Sequence, residues 1–182
     1  MHTDLVFPKG NESKLVAMAV KLGFERLLCC YTLDDPYVQE REKELKKFAG
    51  IEVIFALYVE NQQEVQKAKR FTKHIVARGK PGLFEDKRVQ YVINFEAGKK
   101  KDFVHHRNSG LTQVFIKHGI RTKKTFLVNF NHLLHDDGTI LGRIQQNNMF
   151  FKKYTPDVLV VSGASSPLEM RAPKDLENIL QL

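Results

Sequence analysis

Lys99, Lys100, Lys101, Asp102, Phe103, Val104, His105, His106, Arg107, Asn108, Ser109 and Gly110 form one segment whose residue types suit the holding of phosphate. Lysines supply point charge, and Arg107 supplies a planar fork that can engage two phosphate oxygens at once. An apolar-periodic stretch follows directly, so Asn108 or Ser109 is expected to cap a helix. The first N–H groups of that helix and its positive dipole end would then face the same anion. Gly110 allows close backbone approach. His105 and His106 point to opposite sides of an extended chain, which disfavours metal chelation by the pair; His106 is retained as an anion contact.

Other cations fit the same chemistry. Arg171, shortly before Pro173 and Asp175, sits at a second strand-to-helix transition together with Lys174; Arg88 and Lys152 are secondary candidates. Each has an ordinary alternative: Arg107 can form a salt bridge with Asp102, and Arg171 can pair with Glu169 or Asp175. No catalytic residue is assigned. The chain has no phosphate-cradling glycine loop, no nucleophile elbow and no Cys/His zinc spacing. His132 and His135 beside Asp136 and Asp137 imitate a metal cluster, but Asp136-Asp137-Gly138 also reads as a turn and helix cap.

The charge distribution localises the positive field. The net charge is +8; residues 1–60 hold 8 Lys/Arg against 10 Asp/Glu, residues 61–120 hold 13 against 5, and residues 121–182 hold 8 against 6. A basic middle third points to a polyanionic partner, nucleic acid before membrane, because no basic amphipathic helix is evident. No apolar run approaches the roughly 20 residues of a membrane span, and Met1-His2-Thr3-Asp4 has no signal-peptide pattern, so the expected location is the cytosol. Adjacent Cys29 and Cys30 lie in an apolar run that reads as a buried strand in a reducing compartment.

The elements that must position these residues alternate along the whole chain. Strands are expected over residues 4–7, 26–31, 52–59, 74–77, 91–95, 125–130 and 157–162, with helices over 12–22, 36–48, 62–71, 111–118, 139–154 and 173–180. In the second helix Asp34 or Asp35 is expected as the cap, with Pro36 in the first turn. Ile51-Glu52-Val53-Ile54-Phe55-Ala56-Leu57 and Val158-Leu159-Val160-Val161 are nearly continuous apolar runs, as expected for parallel strands covered on both faces. The fold class is α/β, a compact or incomplete TIM-like β/α barrel of about seven parallel strands in one domain, residues 1–182. A full eight-unit barrel rarely needs fewer than about 200 residues. The connection from Gly79 to Arg88 is too short for a full crossover helix, so one unit is expected to have shrunk.

From about Tyr91 onward the sequence resembles the barrel-shaped component 3 family of archaeal and eukaryal ribonuclease P. Three places carry the likeness. The first is Phe95-Glu96-Ala97 followed by His106-Arg107-Asn108-Ser109-Gly110-Leu111-Thr112-Gln113-Val114. The second is Asn129-Phe130-Asn131-His132-Leu133-Leu134, with Arg143 in the next helix and Lys152-Lys153-Tyr154 closing it. The third is Val160-Val161-Ser162-Gly163-Ala164 with Glu169-Met170-Arg171-Ala172-Pro173-Lys174-Asp175-Leu176. The N-terminal half matches mainly in rhythm.

The resemblance implies a non-catalytic subunit that binds ribonuclease P RNA, a role that Arg107, Lys99, Lys100, Lys101, His106 and Arg171 suit, with Lys174, Arg88 and Lys152 as secondary candidates. It would meet precursor tRNA indirectly and support tRNA 5'-end maturation. It also implies a small ferredoxin-like companion subunit, possible assembly as a heterotetramer, no cofactor on the chain itself and Mg²⁺ on the RNA. The alternative is a metal-dependent phosphoesterase of the same PHP-like barrel superfamily. Those enzymes open on Asp-x-His-x-His; here the place reads Met1-His2-Thr3-Asp4-Leu5, which lacks the pair of ligands on one strand face.

Overall fold

A computed structural model describes residues 1–98, 101–135 and 138–181. Seven strands lie among them: β1 (Thr3–Val6), β2 (Arg26–Thr32), β3 (Glu52–Val59), β4 (Ile75–Arg78), β5 (Tyr91–Ile93), β6 (Thr125–Asn129) and β7 (Asp157–Val161). Between and after them run α1 (Glu12–Leu22), α2 (Val38–Leu45), α3 (Gln62–Ala68), α4 (Pro81–Phe84), α5 (Gln113–Arg121), α6 (Asn131–Leu134), α7 (Thr139–Tyr154) and α8 (Pro173–Glu177), with short 3-10 turns at Pro167–Glu169 and Asn178–Gln181. Each strand pairs in parallel with the next, so spatial order equals chain order.

Strand alternation divides the apolar residues into two layers. Leu5, Leu28, Cys30, Ala56, Val76, Ile93, Leu127 and Val161, at least one from every strand, fill the inside of the sheet. Their neighbours Val6, Leu27, Cys29, Tyr31, Phe55, Leu57, Ala77, Val92, Phe126, Val128 and Val160 face outward under the helices. Both faces of β2 are therefore buried, which is why its sequence shows no polar alternation. Cys29 and Cys30 are free thiols in these two separate layers.

The first and last strands meet, so the sheet curls into a nearly closed barrel. Val6 and Ala164 form a single parallel bridge; the Gly163 N–H donates to the Leu5 carbonyl at 3.0 Å and the Phe7 N–H to the Ala164 carbonyl at 2.8 Å. Gly163 has φ +60, and a Cβ there would stand 2.0 Å from Asn129 Oδ1. Beside this seam Asp4 is fully buried, accepting from the Ser162 N–H and hydroxyl at 2.6 Å each. Burial pushes its carboxyl up to about 6.

Several expected boundaries shift; α3 ends at Ala68 rather than 71 and α8 at Glu177 rather than 180. α2 is shorter than residues 36–48: Asp35 accepts the Tyr37 N–H at 2.7 Å, but this makes a turn and the helix begins only at Val38. β5 stops at Ile93 because Asn94 takes φ +59, outside strand geometry. The shrunken crossover is the four-residue α4.

Candidate nucleic-acid interface

The described residues of the stretch after β5, 94–98 and 101–112, leave the C-terminal end of that strand and fold back over α7. The polar stripe of that helix holds them. Arg143 is the centre: only 4% of its side chain is exposed, its Nε donates to Asp102 Oδ1 at 2.9 Å, and its Nη1 donates to the carbonyls of Glu96 and Gly98 at 2.8 Å each. One turn further, Gln146 accepts the Arg107 N–H at 2.7 Å and donates to the Arg107 carbonyl at 3.0 Å and Ser109 Oγ at 2.9 Å. Asn147 donates to the Ser109 carbonyl at 3.1 Å. These three helical residues lie on one face by the 3.6-residue period, so one side of α7 acts as a template for the loop.

Asp102 ties the loop to itself. It accepts the Asn108 N–H at 2.8 Å and pairs with Arg107 Nη1 at 3.0 Å, while holding Arg143 through its other contact. The Asn108 N–H first, with Arg107 and Arg143, draws its carboxyl down to about 2. The Arg107 side chain is still 53% exposed. It reaches this position over Gly142, where a Cβ would stand 3.0 Å from Arg107 Nε. Glu96 behaves in the opposite way: it is fully buried, and desolvation pushes its carboxyl up to about 8. Asn147 Oδ1, on the same buried face, has no hydrogen-bond partner among the described residues.

The expected helix cap is corrected. Neither Asn108 nor Ser109 caps α5; Thr112 does, its hydroxyl accepting the Phe115 N–H at 3.3 Å, and the helix begins at Gln113. Asn108 and Ser109 are instead used inside the loop, and Gly110, at φ +76, turns the chain before the helix. A Cβ at Gly110 would stand 1.9 Å from the Phe95 carbonyl oxygen.

A groove of about 1060 Å³ lies between this loop, the turn after β4 and α5. Arg107 and His106 line it, as do Arg78 and Lys80, which sequence reasoning did not single out. Phe103 is exposed at the groove, its ring stacked on His106 with centroids 4.5 Å apart. Arg78 and Lys80 both pair with Glu60, at 3.2 Å each. Their signal was available: Arg78 ends β4 and Lys80 follows two residues later, at the strand ends where barrel loops gather on one rim.

The remaining expected contacts are dispersed. Lys99 and Lys100 lie outside the described residues; Lys101 is exposed beside the loop. Arg171 follows β7 at the same end of the barrel but does not line the groove. It donates to the Leu168 and Met170 carbonyls at 2.9 and 2.8 Å and lies over the Phe130 ring, pairing with neither Glu169 nor Asp175. Lys174 is exposed in α8. Arg88 and Lys152 are placed at the other end of the barrel: Arg88 precedes β5, with Nε donating to Asp86 at 2.8 Å, and Lys152 lies in the last turn of α7. The seven described candidates thus do not form one surface.

Among the described residues no three His, Cys, Asp or Glu side chains gather to hold a metal. Asp136 and Asp137 lie outside the described residues. At the position of the phosphoesterase motif, His2 pairs with Glu177 at 3.4 Å while Asp4 is turned into the seam with Ser162. No helix among the described residues is long and apolar enough to cross a membrane.

No protein-family model matches the chain. Ribonuclease P protein component 3 of Methanococcus maripaludis strain C5 is 27% identical over 143 residues, covering 75% of this chain, and that of strain C7 matches to the same extent. The matched region spans 60% of the length of these curated relatives. A chain in the cryo-EM structure of archaeal ribonuclease P with mature tRNA superposes with a TM-score of 0.78 at 19% identity, over 99% of this chain and 81% of that one. The chain therefore resembles ribonuclease P protein component 3 along three quarters of its sequence, and shares along almost all of its length the barrel fold of a chain of archaeal ribonuclease P.

Proposed function

We propose that this chain is a protein subunit of ribonuclease P that binds the RNA component and does not itself cleave. The observation that carries the reading is its similarity to component 3 in sequence, joined to the barrel it shares with a chain of an archaeal ribonuclease P complex. The groove beyond β5 supports it. Asp102 holds one Nη of Arg107, and the guanidinium keeps further donors for a phosphate entering the groove. The exposed Phe103 face, backed by His106, offers an unpaired base a stacking surface. Lys101 adds attraction without sequence preference, and Lys99, Lys100, Arg171 and Lys174 extend that role in the proposal.

Bond cleavage in precursor tRNA then belongs to the RNA component with its Mg²⁺, and the chain's part is to hold the RNA fold in place. The finer proposals are a small ferredoxin-like companion subunit, joined to this chain in a two-plus-two assembly, and a cytosolic location. Reconstitution tests the reading. Ribonuclease P RNA with companion proteins should cleave precursor tRNA faster, or at lower Mg²⁺, once the chain is added. Cleavage by the chain alone that is abolished by point substitution would overturn it, as would reconstituted activity indifferent to its addition. Light scattering of the mixed subunits tests the stoichiometry.

A further inference from the structure

At the opposite end of the barrel, below the starts of β3 and β4, lies a second concave surface: a cleft of about 450 Å³ lined by Lys46, Lys69, Arg70, Lys73 and His74. Its cations come from two elements. Lys46 caps the C-terminal end of α2, whereas Lys69, Arg70 and Lys73 follow the C-terminal end of α3. The sequence Lys67-Ala68-Lys69-Arg70-Phe71-Thr72-Lys73-His74 places four cations in eight positions with no acid between them, as dense as the segment before Arg107.

Two features separate this cleft from ordinary solvated charge. Among the described residues none of Lys69, Arg70 and Lys73 forms an ion pair, although all three are exposed. The one acid lining the cleft, Glu42, is held by Lys46 at 2.9 Å, and nearby Glu44 and Glu52 are taken by Arg41 and Arg26. Secondly, the backbone carrying the free cations is fixed. The Thr72 hydroxyl donates to the Phe55 carbonyl and accepts the His74 N–H, both at 3.0 Å, and the N–H groups of Arg70 and Phe71 close onto the Lys67 and Ala68 carbonyls. Part of this charge complements the negative ends of α2 and α3, but that effect fades beyond the last turn, and Lys73 lies five residues past the end of α3.

We propose that this cleft is a second RNA-binding face that receives the phosphate backbone of a duplex. Membrane is disfavoured because none of the large exposed apolar side chains lies among the cleft residues. Base readout is disfavoured because the two phenylalanines of the lining offer no open ring, Phe55 being buried and Phe71 half-buried, which leaves charge and shape as the recognition chemistry. With a groove at one end of the barrel and this cleft at the other, one chain can brace two segments of a folded RNA. RNA as the occupant rests on the ribonuclease P reading; the cleft rests on geometry and charge.

The test measures binding of a short RNA duplex of arbitrary sequence across a salt titration. It compares the unaltered chain, a K69Q/R70Q/K73Q variant and a K69R/K73R variant. The Gln variant should keep the native melting temperature, lose on the order of tenfold in affinity at about 0.1 M salt, and show a slope of log K against log salt shallower by about two to three. The Arg variant should bind as the unaltered chain does. Unchanged affinity and slope in the Gln variant would overturn the proposal, and so would selective capture of the unaltered chain by phosphatidylserine vesicles with no binding to duplex. Failure of reconstitution with duplex binding intact would count against the ribonuclease P reading and leave the cleft standing.

Discussion

The groove beyond β5 and the cleft below β3 use cations in two different ways. In the groove, Arg107, Arg78 and Lys80 each pair with a carboxylate, and the loop beside them is bonded to a helix face along Arg143, Gln146 and Asn147. In the cleft, Lys69, Arg70 and Lys73 have a fixed backbone and, among the described residues, no acidic partner. Pairing gives direction: Asp102 sets where the Arg107 guanidinium sits and cancels part of its charge. Lack of pairing leaves net charge, which acts over roughly a Debye length, about 10 Å at 0.1 M salt, without selecting an orientation. The groove is suited to positioning and the cleft to attraction.

The largest effects should come from breaking the groove's support. Gly110→Ala forces a Cβ into the Phe95 carbonyl at a positive φ, and Arg143→Ala removes one of the three donors to Asp102 together with the shared donor of the buried Glu96 carbonyl and the part-buried Gly98 carbonyl. Arg143 is itself buried, and its loss strips these groups of a common donor, so urea unfolding should move to a clearly lower midpoint for Arg143→Ala. A native midpoint would mean that α7 does not template the loop. Footprints on RNA from the groove should disappear in this variant while those from the cleft persist.

Arg107→Ala should change stability little, since its pair with Asp102 is half exposed and such pairs contribute at most about 1 kcal/mol. Its binding slope against log salt should fall by about one, less than for the triple cleft variant. An equal or larger loss would reverse the division between positioning and attraction. Phe103→Ala sharpens the comparison further: stacking is not counterion release, so affinity for single-stranded RNA should fall with the salt slope unchanged. A shallower slope would place Phe103 outside any base contact.

A pH dependence beneath the groove offers a further test. Burial sets the Glu96 carboxyl at about 8 in the folded chain, against an ordinary value near 4.5. Below that ordinary value both states hold the proton; as pH rises the unfolded chain releases it first, so stability declines until the folded carboxyl also ionises. Asp4, at about 6, contributes the same sign at lower pH, which leaves about pH 6 to 8 as the window that reports Glu96. The melting temperature should fall across this window, and Glu96→Gln should flatten the decline. A decline of equal size in the variant would remove Glu96 as its source.

Strand count, strand order and the position of the loop after β5 were legible because each depends on local pattern. The apolar runs over β2, β3 and β7 and the punctuation between them fix a parallel α/β arrangement without reference to distant residues. The motifs around Arg107 and Arg171 were legible as chemistry for a polyanion. The cap was misplaced because Asn108, Ser109 and Thr112 all have capping side chains, and the choice among them is made by where α7 pins the loop. The run from Lys67 to His74 was visible but carried no weight, since a cation's partners are not written beside it.

The sequence by itself determined the two buried layers of the barrel, its seven parallel strands and the positive excess of its middle third, because alternation, periodicity and net charge are properties of neighbours along the chain. Tertiary structure alone decided which cations remain available. Asp102, between Arg107 and Arg143, is 41 residues from the latter; Glu60 is 18 from Arg78; and the cleft joins Lys46 to Lys73 across two helix ends. Ion pairing depends on distances of a few ångströms in space, and only the folded barrel brings those residues that near.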